Sequence, residues 1–136
     1  MFLSSLSHIQ KKIFLGLAKE ILIADDDQID HREEAYLRGL CSEMSLGYND
    51  ENNIDKKELI LFFPEIEARR VLLLELVALA YSNQNYHESQ DKYTDDMANT
   101  LDIPIKDLRI MEQLVHEHII IRDKFVTIIE ANNRSE

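Results

Sequence analysis

Residues 66–81 read IEARRVLLLELVALAY. Ile66, Arg70, Leu73, Leu74, Val77, Ala78 and Tyr81 recur at steps of three and four, so they line one face of a helix. Further apolar residues flank that face, which predicts the most buried helix of the chain. The run 71–81 is too short to cross a bilayer, and Glu75 stands inside it.

On its N-terminal side the same three-and-four spacing returns. Ile9, Ile13, Phe14, Leu17 and Ile21 predict a helix over 7–24, opened by a capping box of Ser7 and Gln10. Asp30 and Glu33 form a second box, followed by Tyr36, Leu37, Leu40 and Met44, a helix that stops near Gly47. Residues 48–54 are polar and loop-like, and Asp55 with Glu58 predicts a third box before a short helix or turn. Pro64 suits the first turn of the central helix. Beyond a polar loop at 82–89, Tyr93, Met97 and Leu101 mark another helix. Pro104 opens one more, through Leu108, Met111 and Val115. The tail 118–130 fits either a helix or two β-branched strands about Arg122–Lys124, and its all-helical surroundings favour the helix.

Composition agrees with this pattern. Only 3 Gly and 2 Pro occur in 136 residues, too few for the turns of an all-β sandwich or barrel. An apolar content of 45% excludes disorder of the whole chain. The 26 acidic against 15 basic residues give a net charge of −11. That field repels phosphate backbones and anionic lipid, so nucleic acid and membranes are poor partners, and cations or basic proteins are better ones. The single cysteine, Cys41, rules out an intrachain disulfide, and with no disulfide framework the expected compartment is the cytoplasm. The first eighteen residues read as the start of a helix rather than a signal peptide, because no basic residue precedes their apolar part.

Shifted by 57 positions, the two halves register. Leu17 falls on Leu74, Leu22 on Leu79, Glu34 on Asp91, Tyr36 on Tyr93, Leu40 on Met97, Met44 on Leu101 and Leu46 on Ile103. Each half reads long helix, polar loop, second helix. The reading is a single all-α domain over 1–136 with six to seven helices, built as a duplicated helical hairpin with pseudo-repeats at about 8–47 and 65–104.

The densest chemistry lies between the first two helices, where Asp25, Asp26, Asp27, Asp30, Glu33 and Glu34 fall within ten residues. Repulsion among them calls for water, a cation or a basic partner. Hard cations such as calcium, magnesium or manganese take oxygen ligands of this kind. The EF-hand template fails, because His31 stands where its glycine belongs and Leu37 where its last glutamate belongs. The bland alternative is also physical: acids in a first turn favour the helix dipole, and Asp30 is a good cap.

Asp26-Asp27-Gln28-Ile29-Asp30-His31-Arg32-Glu33, after an apolar helix, resembles the repeat of the tellurite-resistance TerB-like family, also found as a domain in DnaJ-type co-chaperones. That repeat runs roughly A-x-x-D-G-x-[IF]-D-x-x-E, with a degenerate second copy further on. Here the second copy reads Asn83-Gln84-Asn85-Tyr86-His87-Glu88-Ser89-Gln90 after LLLELVALAY. The family's glycine is Asp27 in one copy and Gln84 in the other, and the second copy loses its aspartates and its glutamate. The resemblance, over about 8–117, implies an all-α cytoplasmic stress-response domain whose acidic loop binds a metal ion. Carried over by position, it implies Asp26, Asp30 and Glu33 as ligands. The expected function is therefore non-enzymatic: a divalent-cation-binding module of this type. The alternative is an interaction module whose acidic face docks a basic protein without metal.

Other groups carry less. His116 and His118 would share a face only in a strand, and no H-E-x-x-H occurs. Cys41 reads as a small buried side chain. No G-x-S-x-G and no glycine-rich phosphate loop is present.

Overall fold

Two reciprocal caps set the first half of the molecule. The Ser7 side chain accepts from the Gln10 N–H while the Gln10 side chain accepts from the Ser7 N–H, which starts helix α1 at His8–Leu22. Asp30 and Glu33 do the same for α2, His31–Met44. The computed structural model describes residues 1–24, 28–82 and 88–134. The remaining α-helices are α3 (Leu59–Phe62), α4 (Ile66–Ser82), α5 (Glu88–Thr100) and α6 (Ile105–Arg134), with short 3-10 turns at Leu3–Ser5 and Lys56–Glu58. Among the described residues there is no strand, and the fold is all-α.

Helix α4 is the hub, packing against α1, α5 and α6. Its Leu72, Leu73, Leu76, Leu79 and Ala80 meet Phe14, Leu17 and Ile21 of α1 and Met97, Leu101 and Leu108 of the later helices in one hydrophobic core. Glu75, the acid within the apolar run, is 4% exposed. Its Oε1 accepts from the Phe2 N–H at 2.6 Å and lies 2.9 Å from the Met1 nitrogen, so the N-terminal segment answers a carboxylate that water barely reaches.

The second helices of the two hairpins end alike. Among the described residues, Ser45 (φ 59°) and Asp102 (φ 56°) are the non-glycine residues in the left-handed region. Leu46 N–H donates to Cys41 C=O at 2.8 Å, and Ile103 N–H donates to Ala98 C=O at 2.9 Å. These are paired Schellman stops with a buried apolar residue just beyond each, and the two sets are separated by the same 57 positions as the sequence register.

Three local expectations differ in detail. Asp55 does not close a box with Glu58; its carboxylate accepts from the Lys57 N–H and opens only a 3-10 turn, because α3 starts at Leu59. Pro64 precedes the central helix rather than sitting in its first turn, since the Glu65 carbonyl takes the first helical bond, from Arg69. The tail continues α6 without a break to Arg134, and the two-strand alternative is gone. Pro104 stands just before α6, and its carbonyl accepts from Leu108.

Between α2 and α3 the chain is strapped across α1. Lys19 Nζ donates to Tyr48 C=O at 2.6 Å and to Glu51 Oε1 at 2.9 Å, and both Lys19 and Arg38 lie over the Tyr48 ring. Asn53 crosses Gly16 so closely that a Cβ there would stand 2.5 Å from its Oδ1, and the Asn53 side chain would have to turn aside.

Candidate functional site

Of the acids read from sequence as a cation site, Asp30 and Glu33 meet at the start of α2. Asp30 Oδ1 accepts from the Glu33 N–H at 2.8 Å, and Glu33 Oε1 accepts from the Asp30 N–H at 3.0 Å. One oxygen of each carboxylate is therefore engaged by otherwise unsatisfied N–H groups of the helix end. Asp26, with Asp25 and Asp27, lies outside the described residues, as does the segment 83–87 that holds most of the second copy.

The structure assembles a different acidic group. Asp91 and Asp95 stand one turn apart on α5, and Glu112 reaches them from α6; one oxygen of each lies within 4.8 Å of the others. Arg109, one turn before Glu112, bridges two of the three. Its Nη1 lies 2.8 Å from Glu112 Oε1 and 3.0 Å from Asp95 Oδ1, and its Nη2 donates to Asp95 Oδ2 at 3.2 Å. Hydrogen bonding to Asp95 first, and to Glu112 next, outweighs burial and pushes the guanidinium pKa further up. Glu112 Oε2 is buried without a hydrogen bond, and Asp95 Oδ1 is buried with only the ion-pair contact to Arg109. Such a carboxylate set matches a hard divalent cation, although the arginine already supplies one positive charge. The sequence reading missed this group. The spacing of Asp91 and Asp95 was legible as one helix face, but Glu112 belongs to another helix, and only packing places it there.

The second unusual surface is the outer side of α6. From Ile105 to Ile119 the helix lies on α4 and α5 through Leu108, Met111, Val115 and Ile119. Beyond that it leaves the body, and every described side chain from Ile120 to Ala131 is exposed. Ile121 is 52% exposed, Phe125 63% and Ile128 66%. Ile110 and Leu114, at 56% and 55%, continue the same stripe back over the docked half. At about 100° per residue these five fall within roughly 60° of arc, about a third of a turn from the buried face. His116 and His118 are both exposed on this helix, on different sides of it, so one ion cannot take both.

The nucleophile candidates recede. Cys41 is buried, and desolvation raises its thiol pKa, which keeps it protonated at neutral pH. Tyr93 is held neutral by burial and by the neighbouring Glu20 carboxylate, which is ion-paired with Lys56. A cleft of about 590 Å³ between the Leu3–Ser5 turn and the start of α4 is lined by Ser7, Gln10, Glu65 and Glu67 but, among the described residues, by no base or nucleophile arrangement.

No family model, no curated protein and no solved structure matches the chain, so the TerB-like resemblance rests on the two short motifs quoted above.

Proposed function

We propose that this chain is a non-enzymatic helical module, of TerB-like organisation, whose working surface is the outer face of α6 and whose ligand is a protein. The observation that carries the reading is the helical half beyond Ile119, which exposes Ile121, Phe125 and Ile128 and has no core of its own. An isolated helix of that length is marginal in water, and helices gain their stability mostly by packing an apolar face. A contiguous apolar stripe marks an interaction site, and Ile120, Val126 and Ile129 add exposed apolar surface on the other sides of the projecting half. The paired stops at Ser45 and Asp102 support the duplicated hairpin that the resemblance implies. Its stress-response setting comes from the resemblance alone, and its cytoplasmic setting from the resemblance and the single cysteine.

The test is a photoreactive benzophenone residue at position 125, compared with one at Lys12 on α1. Covalent protein adducts formed in cells from position 125 and not from position 12 are the expected result. Absence of any adduct from position 125 overturns the reading.

A cation reading has its own support in the buried Glu112 Oε2, which lacks a hydrogen bond, beside Asp95 and Asp91. Calorimetry with calcium, magnesium and manganese separates the two possible sites. Heat lost in Asp95→Asn/Glu112→Gln assigns the ion to the α5–α6 group. Heat lost in Asp26→Ala/Asp30→Ala assigns it to the loop ligands Asp26, Asp30 and Glu33. Titrations without heat remove the ion.

A further inference from the structure

We infer that the occupant of the α6 face is a second copy of this chain, lying antiparallel along the same helix; this rests on α6 being a docking surface. Three features select it. The first is charge. Glu117 and Lys124 border the stripe on one side, about 20° apart around the helix, seven positions from each other. A partner chosen by net charge would need a flank of one sign, and this flank carries one acid and one base. It is complementary to itself when reversed: a two-fold axis between positions 120 and 121 sets Glu117 of each chain opposite Lys124 of the other. A parallel pair would set glutamate against glutamate and lysine against lysine.

The second is shape. The same axis brings Ile121 of the two copies together at the centre and places Leu114 of each between Phe125 and Ile128 of the other. Large side chains then fill gaps on both sides, as in knobs-into-holes packing. The third is extent. The stripe from Ile110 to Ile128 is about 27 Å long. Burying its five exposed side chains removes roughly 600 Å² per chain, or about 1,200 Å² per pair, the low end of stable interfaces. The antiparallel arrangement also sets the two bodies, each of net charge −11, at opposite ends of the paired helices rather than side by side.

Sedimentation equilibrium on the purified chain tests this. At about 100 µM a complex with a micromolar Kd is mostly formed, so the expected mass is twice 15.9 kDa. Phe125→Asp/Ile128→Asp should weaken association at least about a hundredfold while far-UV circular dichroism of the body stays helical. Glu117→Lys and Lys124→Glu should each weaken it about tenfold. The double swap, or an equimolar mixture of the two single variants, should restore it. A wild-type monomer at that concentration overturns the second-copy occupant, and so does a dimer indifferent to Phe125→Asp/Ile128→Asp. A dimer whose charge variants are not rescued by the swap overturns the antiparallel register. Failure of this inference is distinct from failure of the docking reading: an adduct from position 125 to a different protein keeps α6 as the surface and replaces the partner, whereas no adduct removes both.

Discussion

The two helical hairpins, α1 with α2 and α4 with α5, stop in the same way and are followed by different structures. After Ser45 and Leu46 the chain becomes a loop strapped to α1 by Lys19, Tyr48 and Glu51. After Asp102 and Ile103 it meets Pro104 and becomes α6, which lies back on α4 and α5. The acids of the second helices reflect that difference. On α2, Glu34 is answered one turn on by Arg38, at 3.3 Å on the surface. On α5 the equivalent positions are Asp91 and Asp95, so the helix has two acids where α2 has an ion pair, and the base comes from α6 as Arg109. A hairpin that satisfies its own charges can face water. One that leaves an acidic surplus creates a place for another helix to dock.

The largest expected difference between the hairpins lies in the cores beneath the two stops. Leu101→Ala, under α6, should cost about 3–5 kcal/mol, and Met44→Ala at the equivalent position about 2–3 kcal/mol, read by urea unfolding. The reverse order would mean that α6 adds little to the second hairpin. Next is the borrowed base. Arg109→Ala should cost about 1–2 kcal/mol, because it leaves the packed Asp95 and Glu112 carboxylates without the base they share, whereas Arg38→Ala should cost less than about 0.5 kcal/mol. Equal costs would refute the contrast between a self-satisfied and a borrowed pair.

The stops themselves offer a smaller effect. Ser45→Gly should stabilise by about 0.5 kcal/mol by relieving a left-handed serine, while Asp102→Gly should be nearly neutral because aspartate tolerates that region. The smallest effect tests the strap that only the first hairpin has. Burial pushes the Glu51 carboxyl pKa up, but the Lys19 hydrogen bond, the residue's own backbone N–H and the Lys19 charge together hold it below the usual range. A depressed folded-state pKa contributes stability above the unfolded-state value and loses it as pH falls through the folded-state value. Wild type should therefore lose more stability than Glu51→Gln between about pH 5 and pH 3, by less than about 1 kcal/mol.

Much of this architecture was legible in the residues. Ser7 with Gln10 and Asp30 with Glu33 announce helix starts because a cap is a bond between neighbours in sequence. Gly47 marks the end of α2 only approximately, because the left-handed position is taken two residues earlier by Ser45, whose residue type carries no such signal. The α6 tail was ambiguous because β-branched residues at 119–121 and 126–129 serve either a strand or a helix, and no nearby turn residue decides between them. The acidic group on α5 and α6 was invisible, since nothing in the spacing of Asp91, Asp95, Arg109 and Glu112 states how two helices cross.

The all-helical class, the reciprocal caps at Ser7 and Asp30 and the buried central helix were written in the residues, because each depends on interactions within one or two turns of chain. Which acids share a point in space, and which apolar residues stay outside the core, came from the packing of one helix on another. Those outcomes depend on how α6 lies on α4 and α5. Its docked half and its projecting half carry the same kinds of side chain, and the body stops beneath one of them and not the other.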